Sequence, residues 1–229
     1  MTQKESPKSA LLNIIFNIVI PVVILSKFSD DAHLGALKGL LIAISFPIVY
    51  GSWDLLVLKK WNFVSILGFC SILFTGGLAL LKLDGFWFAI KEASVPVLIG
   101  LGVFFTAKSK YNVIRAIVLN PQIMKIDLIE SKIRENNQEE EFERLIIKTT
   151  YIFVLSFVIS AVLHFILARI ILKSPTGSPE FNQELGKMVA LSFPVIMVPS
   201  MVVLILSLIY LIRGLTKMTG HSYKDLLGD

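Results

Sequence analysis

Gly85-Phe-Trp-Phe-Ala-Ile-Lys-Glu-Ala-Ser-Val-Pro96 opens an apolar run that continues to Ala107 and carries two adjacent charges, Lys91 and Glu92. The run has about the 20 residues needed to cross a bilayer. A charge at such depth is costly and turns toward protein or water, so these two side chains are the first candidates for function. The rest of the chain repeats the apolar pattern, with runs at 10–28, 36–57, 62–82, 86–106, 149–172 and 187–212. Each is long enough to span, and only helices satisfy the backbone of such segments in lipid. The expected fold is all-α: one integral membrane domain over 1–229, a bundle of six transmembrane helices. The amphipathic segment 108–148 forms a cytoplasmic elbow between helices 4 and 5.

Composition supports this and excludes the soluble enzyme classes. Of 229 residues, 55% are hydrophobic and 17% charged, and the mean hydropathy is +0.74. The net charge of +5 would suggest nucleic acid in a soluble protein, but in a membrane protein it reports topology. Lys4, Lys8, Lys59, Lys60, eight residues within 107–148, and Arg213, Lys217 and Lys224 make up 15 of the 22 basic residues. Both termini are therefore expected in the cytoplasm, with no nucleic-acid partner. The other side receives Ser29–His33, the 82–85 turn and the loop Ser174–Glu184. Trp53, Trp61 and Trp87 fall near expected helix ends, where an aromatic belt belongs. Ser26-Lys-Phe-Ser-Asp-Asp31 lacks a small-x-small cleavage site, so the first helix is expected to be retained.

Within the elbow, Asn120-Pro121 predicts a helix start, followed by Ile123, Ile126, Ile129 and Ile133 at helical spacing. From Lys125 to Lys148 seven acids face five bases, which suits a connector lying on the membrane better than an anionic-lipid platform. Three even-numbered helices share a Ser-x-Pro pattern at Ser45/Pro47, Ser94/Pro96 and Ser192/Pro194. Proline removes a helical hydrogen bond and a nearby serine can re-satisfy the backbone, so Pro47, Pro96 and Pro194 are read as kinks. Three repeated hairpins would place these kinks at similar depth; chance matching of common membrane-helix residues is the alternative.

Asn13, Asn17 and Pro21 share one face of the first helix, with Pro21 a fourth kink, and Ser156, Ser160 and His164 share one face of the fifth. Such stripes either fix packing by interhelical hydrogen bonds or line a cavity. Lys91, Glu92, His164 and Arg169 all fall in the non-cytoplasmic half of their spans. Lys91 and Glu92 point about 100° apart, and Lys91 shares a face with Trp87 and Ser94. Lys91 and Arg169 have stems long enough to snorkel to the headgroups; Glu92 does not. Together Lys91, Glu92, His164, Asn17, Arg169 and Trp87 form a candidate binding set for an anionic headgroup, phosphate or carboxylate. His33, His164 and His221 are scattered and Cys70 stands alone, so no metal site is expected. Neither HExxH, GxSxG nor a carboxylate pair occurs, so no catalytic residue or cofactor is expected. Gly76-Gly77 reads as close packing, and Asp54 as a boundary residue.

Gly76-Gly-Leu-x-Leu80, Asp84, the aromatic-rich helix start and Lys91 resemble a hairpin of the intracellular septation protein A family. With Asn13-x3-Asn17-x3-Pro21, Trp87-Phe-Ala-Ile-Lys-Glu92 and Phe181-Asn-x-x-Leu-Gly186, the chain is similar to a related, uncharacterised bacterial six-helix family. The strict similarity covers a small part of the chain, and the long segment before the fifth helix departs from septation protein A. The resemblance implies a bacterial inner-membrane location and a role in envelope maintenance or division; it implies no reaction. Two readings follow. One is a transporter or lipid-handling protein with an anion site in its outer half. The other is a non-catalytic scaffold whose intramembrane charges pair internally, contacting membrane lipids, further copies of itself or an envelope protein.

Overall fold

The computed structural model describes residues 11, 12, 14–56 and 63–228. Lys4, Lys8, Asn13, Lys59, Lys60 and Trp61 lie outside them, as does the side chain of Asp54. The described residues are 80% helix, with no strand among them. A π-helical segment, π1 (Ile15–Val19), leads into α1 (Ile20–Lys27), then come α2 (Gly35–Leu56), α3 (Phe63–Leu80) and α4 (Gly85–Thr106). Short helices α5 (Val113–Val118) and α6 (Ile126–Glu135) precede α7 (Glu139–Ile171). α8 (Pro179–Ser192), π2 (Phe193–Met197) and α9 (Val198–Thr219) form one continuous run, followed by α10 (Tyr223–Leu226).

Among the described residues four helices are long and apolar enough to span a membrane: Gly35–Trp53, Gly85–Thr106, Glu139–Ile171 and Pro179–Thr219. Ile15–Lys27 is a shorter apolar helix. Leu155, Val158, Val162, Ile166 and Ile170, at helical spacing on α7, are each about half exposed. A stripe of that size facing water would be a large liability, whereas in lipid it is the ordinary exterior of a span. The chain is accordingly a multi-pass membrane protein. At 33 residues, α7 is about 50 Å long, against about 30 Å of hydrocarbon. Its first turns, with Glu139, Glu140, Glu141 and Glu143, therefore extend beyond the bilayer.

Two helix starts differ from expectation. Asn120-Pro121 begins a turn, not a helix. The Asn120 carbonyl closes that turn by accepting from Ile123 N and Met124 N, and the C-terminal segment claims the backbone just after it: Lys125 N donates to Leu226 O at 2.9 Å, Gly228 N to Ile123 O at 2.9 Å, and Met124 forms a lone antiparallel bridge with Leu227. The asparagine that caps is Asn112, whose side chain accepts from Arg115 N at 3.0 Å and starts α5. The 174–184 loop also ends early. Ser178 caps α8 by accepting from Phe181 N at 3.1 Å, with Pro179 in the first turn, a position that suits its missing N–H.

Contacts divide the chain into two compact units, one running up to Val95 with Ala161–Ile196 and the other comprising Pro96–Ser160 with Met197 onward. In the first, α1 packs on α8 and α2, and α2 on α3. Phe88 meets Phe181 edge-on at 5.0 Å, and Asn182, 1% exposed, donates to the Ala36 carbonyl at 2.6 Å. A Cβ at Gly186 would lie 2.6 Å from Ser26 Oγ and 3.3 Å from the Val22 carbonyl oxygen, so a larger residue would have to turn the serine aside and press α1 outward. Phe181-Asn-x-x-Leu-Gly186 is thus a packing face: all four named residues are buried.

In the second unit, Ile114, Val118, Ile129, Ile133, Ile146 and Leu215 form the centre of a separate core. Ile129 and Ile133 are buried against protein, so the helical isoleucine spacing in this segment serves packing within the unit. Ile123, 40% exposed, is outside that face. α10 closes on this core through Leu226, and its carboxylate Asp225 accepts from Ser222 Oγ at 2.7 Å and Ser222 N at 3.1 Å. Those hydrogen bonds hold Asp225 below the usual carboxylate range.

Pro47 and Pro96 are buried within helices α2 and α4, which continue through them. The nearby serines bond other carbonyls than those the prolines free: Ser45 Oγ donates to Ile42 O at 2.7 Å and Ser94 Oγ to Lys91 O at 2.6 Å. Pro194 instead lies within π2, and Ser192 Oγ donates to Met188 O at 2.9 Å. The two π segments share one register. Each starts six residues before a proline, Pro21 for π1 and Pro199 for π2, so its middle residue, Asn17 or Val195, owns the carbonyl that the proline ring crowds. Widening the helix there relieves the clash and accommodates the missing hydrogen bond.

Candidate functional site

α4 starts where Asp84 Oδ1 accepts from Phe86 N at 3.0 Å, and Gly85 lies so close to the end of α7 that a Cβ there would stand 2.7 Å from Leu172 O. That close seating sets the rotation of α4, and with it the direction of Lys91 and Glu92. Phe88 and Ala89 are fully buried on one side, and Trp87, half exposed, lies on the other beside Phe86. Lys91 and Glu92 stand between these extremes, with side chains 12% and 21% exposed.

The lysine is doubly held. Lys91 Nζ donates to Glu92 Oε1 at 2.8 Å and to Thr75 Oγ1 of α3 at 2.7 Å. Adjacent positions on a helix point about 100° apart, which predicts separate partners. The flexible four-carbon stem spans that angle, and the neighbours pair with each other. Two consequences follow. The ammonium is already compensated by a carboxylate, and the α3–α4 hairpin is tied by a charge-assisted hydrogen bond between mostly buried groups.

Arg169, near the end of α7, is exposed and places its guanidinium 5.7 Å from the Phe86 ring centre, a cation–π contact. Phe86 also meets Phe165 edge-on at 6.2 Å, so Arg169 and Trp87 flank one aromatic cluster. His164 is half-buried on α7, Asn17 is half-buried at the centre of π1, and both have interaction partners. Ser156 is buried and spends its hydroxyl on Phe153 O at 2.6 Å, a local back-bond. Loops near Arg169 are fastened by Glu184, which accepts from Lys173 N and Ser174 N, both at 2.9 Å, and by Thr176, which donates to Leu83 O. No group of three or more His, Cys, Asp or Glu among the described residues is placed to hold a metal.

Sequence reasoning missed a buried polar hub in the second unit. Asn112, with no exposure, donates through Nδ2 to Ala107 O at 2.6 Å and to Thr150 Oγ1 at 2.8 Å, while Thr150 donates to Ile146 O at 2.8 Å. The sequence signal was there: an asparagine three residues before Arg115, at the head of Val113–Val118, is a cap pattern. Asn120-Pro121 outranked it on paper. No family model, curated protein or solved structure matches the chain.

Proposed function

We propose that this chain is a non-catalytic structural protein of the bacterial inner membrane, crossing it six times with both termini cytoplasmic and serving the cell envelope or division apparatus. The observation that carries this reading is the Lys91–Glu92–Thr75 clamp, in which the intramembrane charges satisfy one another. The 15-of-22 basic bias supports the orientation, and the septation-like hairpin supports the setting. A reporter fused after Asp229 that is active only in the cytoplasm should give signal; activity of one that works only outside it would overturn the orientation.

A transporter or lipid-handling protein with an anion site at Lys91, Glu92, His164, Asn17, Arg169 and Trp87 is the second reading. It is favoured by π1, which places Asn17 in irregular backbone within an apolar helix, as π segments often do at functional sites. Approximate repetition of three hairpins would belong with it, because transporter sites form at repeat interfaces. Flux separates the two. Proteoliposomes holding the purified chain should pass phosphate or acetate no faster than protein-free vesicles. Flux above that background that Lys91→Ala abolishes would replace the scaffold with the transporter.

A further inference from the structure

A second concentration of charge lies in the unit that does not contain Lys91. α7 carries Arg144 and Lys148 one turn apart, and α9 carries Arg213 and Lys217 one turn apart. The two faces flank a single groove of about 610 Å3, which Tyr210 and Glu141 also line. Its floor is a tight helix crossing: Leu145 is buried, and a Cβ at Gly214 would lie 2.5 Å from both Leu145 δ-carbons. The helices touch there through a residue with no side chain, and the long cationic side chains stand on either side.

The groove is short of negative charge. Arg144 pairs with Glu140 at 3.0 Å, but both side chains are mostly exposed, so the pair is screened and weak. Lys148, Arg213 and Lys217 have no carboxylate partner among the described residues. Acids of the elbow that seemed to cancel the bases are occupied elsewhere: Glu135 with Lys132 at 2.6 Å, Glu130 with Arg134 at 3.7 Å, and Glu143 with Arg115. Glu141 is the one carboxylate lining the groove.

Depth identifies the ligand. Lys148 is the last charge before the apolar stretch of α7, and Arg213 is the first after that of α9. The groove therefore sits at headgroup level. Apolar residues continue down the same faces, Tyr151 and Leu155 below Lys148 and Leu206 below Tyr210, all exposed. An acyl chain has a path along them. Arginine forks match phosphate oxygens, and a tyrosine at this level presents its ring to chains and its hydroxyl to headgroups. We infer that this groove binds the phosphate of an anionic phospholipid in the leaflet on the side where the basic residues gather.

The full chain, purified in detergent, is titrated with phosphatidylglycerol and with phosphatidylcholine, and bound lipid is counted by native mass spectrometry. Wild type should prefer phosphatidylglycerol. The triple variant Lys148→Gln/Arg213→Gln/Lys217→Gln should lose that preference, binding phosphatidylglycerol on the order of a hundredfold more weakly, since each cation near an anionic surface is worth about a factor of five. Its binding of phosphatidylcholine and its thermal midpoint should stay at wild-type values. Glu141→Gln, which leaves every cation in place, should tighten phosphatidylglycerol binding. Equal affinity of wild type for the two lipids, or wild-type affinity in the triple variant, overturns the site. Inorganic phosphate should compete only weakly; if it competes as well as the lipid, the ligand is a soluble phosphate and the lipid assignment fails.

Discussion

Replacing Glu92 with glutamine should destabilise the protein by about 3 kcal/mol or more, because it strands the Lys91 ammonium in a mostly buried, intramembrane position. The double variant Lys91→Met/Glu92→Gln should recover most of that loss, to within about 1 kcal/mol of wild type, since exchanging a buried pair for neutral groups of similar volume is often neutral. Thr75→Val, which removes only the neutral acceptor at 2.7 Å, should cost about 1 to 2 kcal/mol. Unfolding in mixed micelles measures all four proteins. The diagnostic quantity is the coupling: a single substitution more harmful than the pair of them is the signature of mutual compensation. A double variant no more stable than Glu92→Gln would mean that Lys91 and Glu92 do not rely on one another, and the clamp would no longer support the scaffold reading. Salt is a second check, because a pair this deep should respond little to ionic strength.

The second large effect is expected at Asn112. Asn112→Ala removes the cap acceptor of Arg115 N and the donors to Ala107 O and Thr150 Oγ1, in a side chain with no exposure. Leaving those groups unpaired should cost about 3 kcal/mol, the cap alone accounting for about 1. Thr150→Val should cost less, because the Ile146 carbonyl keeps its helical partner and only the asparagine amide loses a contact. The double variant should be little worse than Asn112→Ala. Hydrogen exchange would locate the damage: amides of 113–118 should open early in Asn112→Ala, ahead of those in the middle of α7. Uniform exchange across both helices would instead show that α5 has no stability of its own to lose and that the cap is dispensable.

Much of the architecture was legible without coordinates. Apolar runs of about 20 residues that hold only one or two charges have one solution in lipid, so helix positions at 36–57, 86–106, 149–172 and 187–212 follow from the solvent alone. The structure places spanning helices over all four, extending α7 back to Glu139 and the last run back to Pro179. Those extensions lie outside the hydrocarbon, where composition no longer dictates conformation and local signals such as Ser178-Pro179 decide. The candidate set was legible in the same limited sense. Sequence shows that Lys91 and Glu92 are deep, because depth follows from position along an apolar run.

What those charges meet was a matter for the tertiary structure. Helical geometry fixes the direction of a Cβ but not the path of a lysine stem, so the Lys91–Glu92 contact and its tie to Thr75 depended on how α3 packs beside α4. Asn120-Pro121 carries a better helix-start signal than Asn112, yet the Asn120 carbonyl closes only a local turn, accepting from Ile123 N and Met124 N, and the distant tail pairs the next groups, Ile123 O with Gly228 N and Lys125 N with Leu226 O. The basic groove is the sharpest case. Charge counted along Lys125–Lys148 is acidic, and the groove becomes cationic only when α9 brings Arg213 and Lys217 against Arg144 and Lys148 while Glu130, Glu135 and Glu143 pair with Arg134, Lys132 and Arg115. Periodicity and depth are properties of one segment in its solvent, and sequence carries them in full; which charges meet depends on side-chain paths and on neighbouring segments, and only packing decides that.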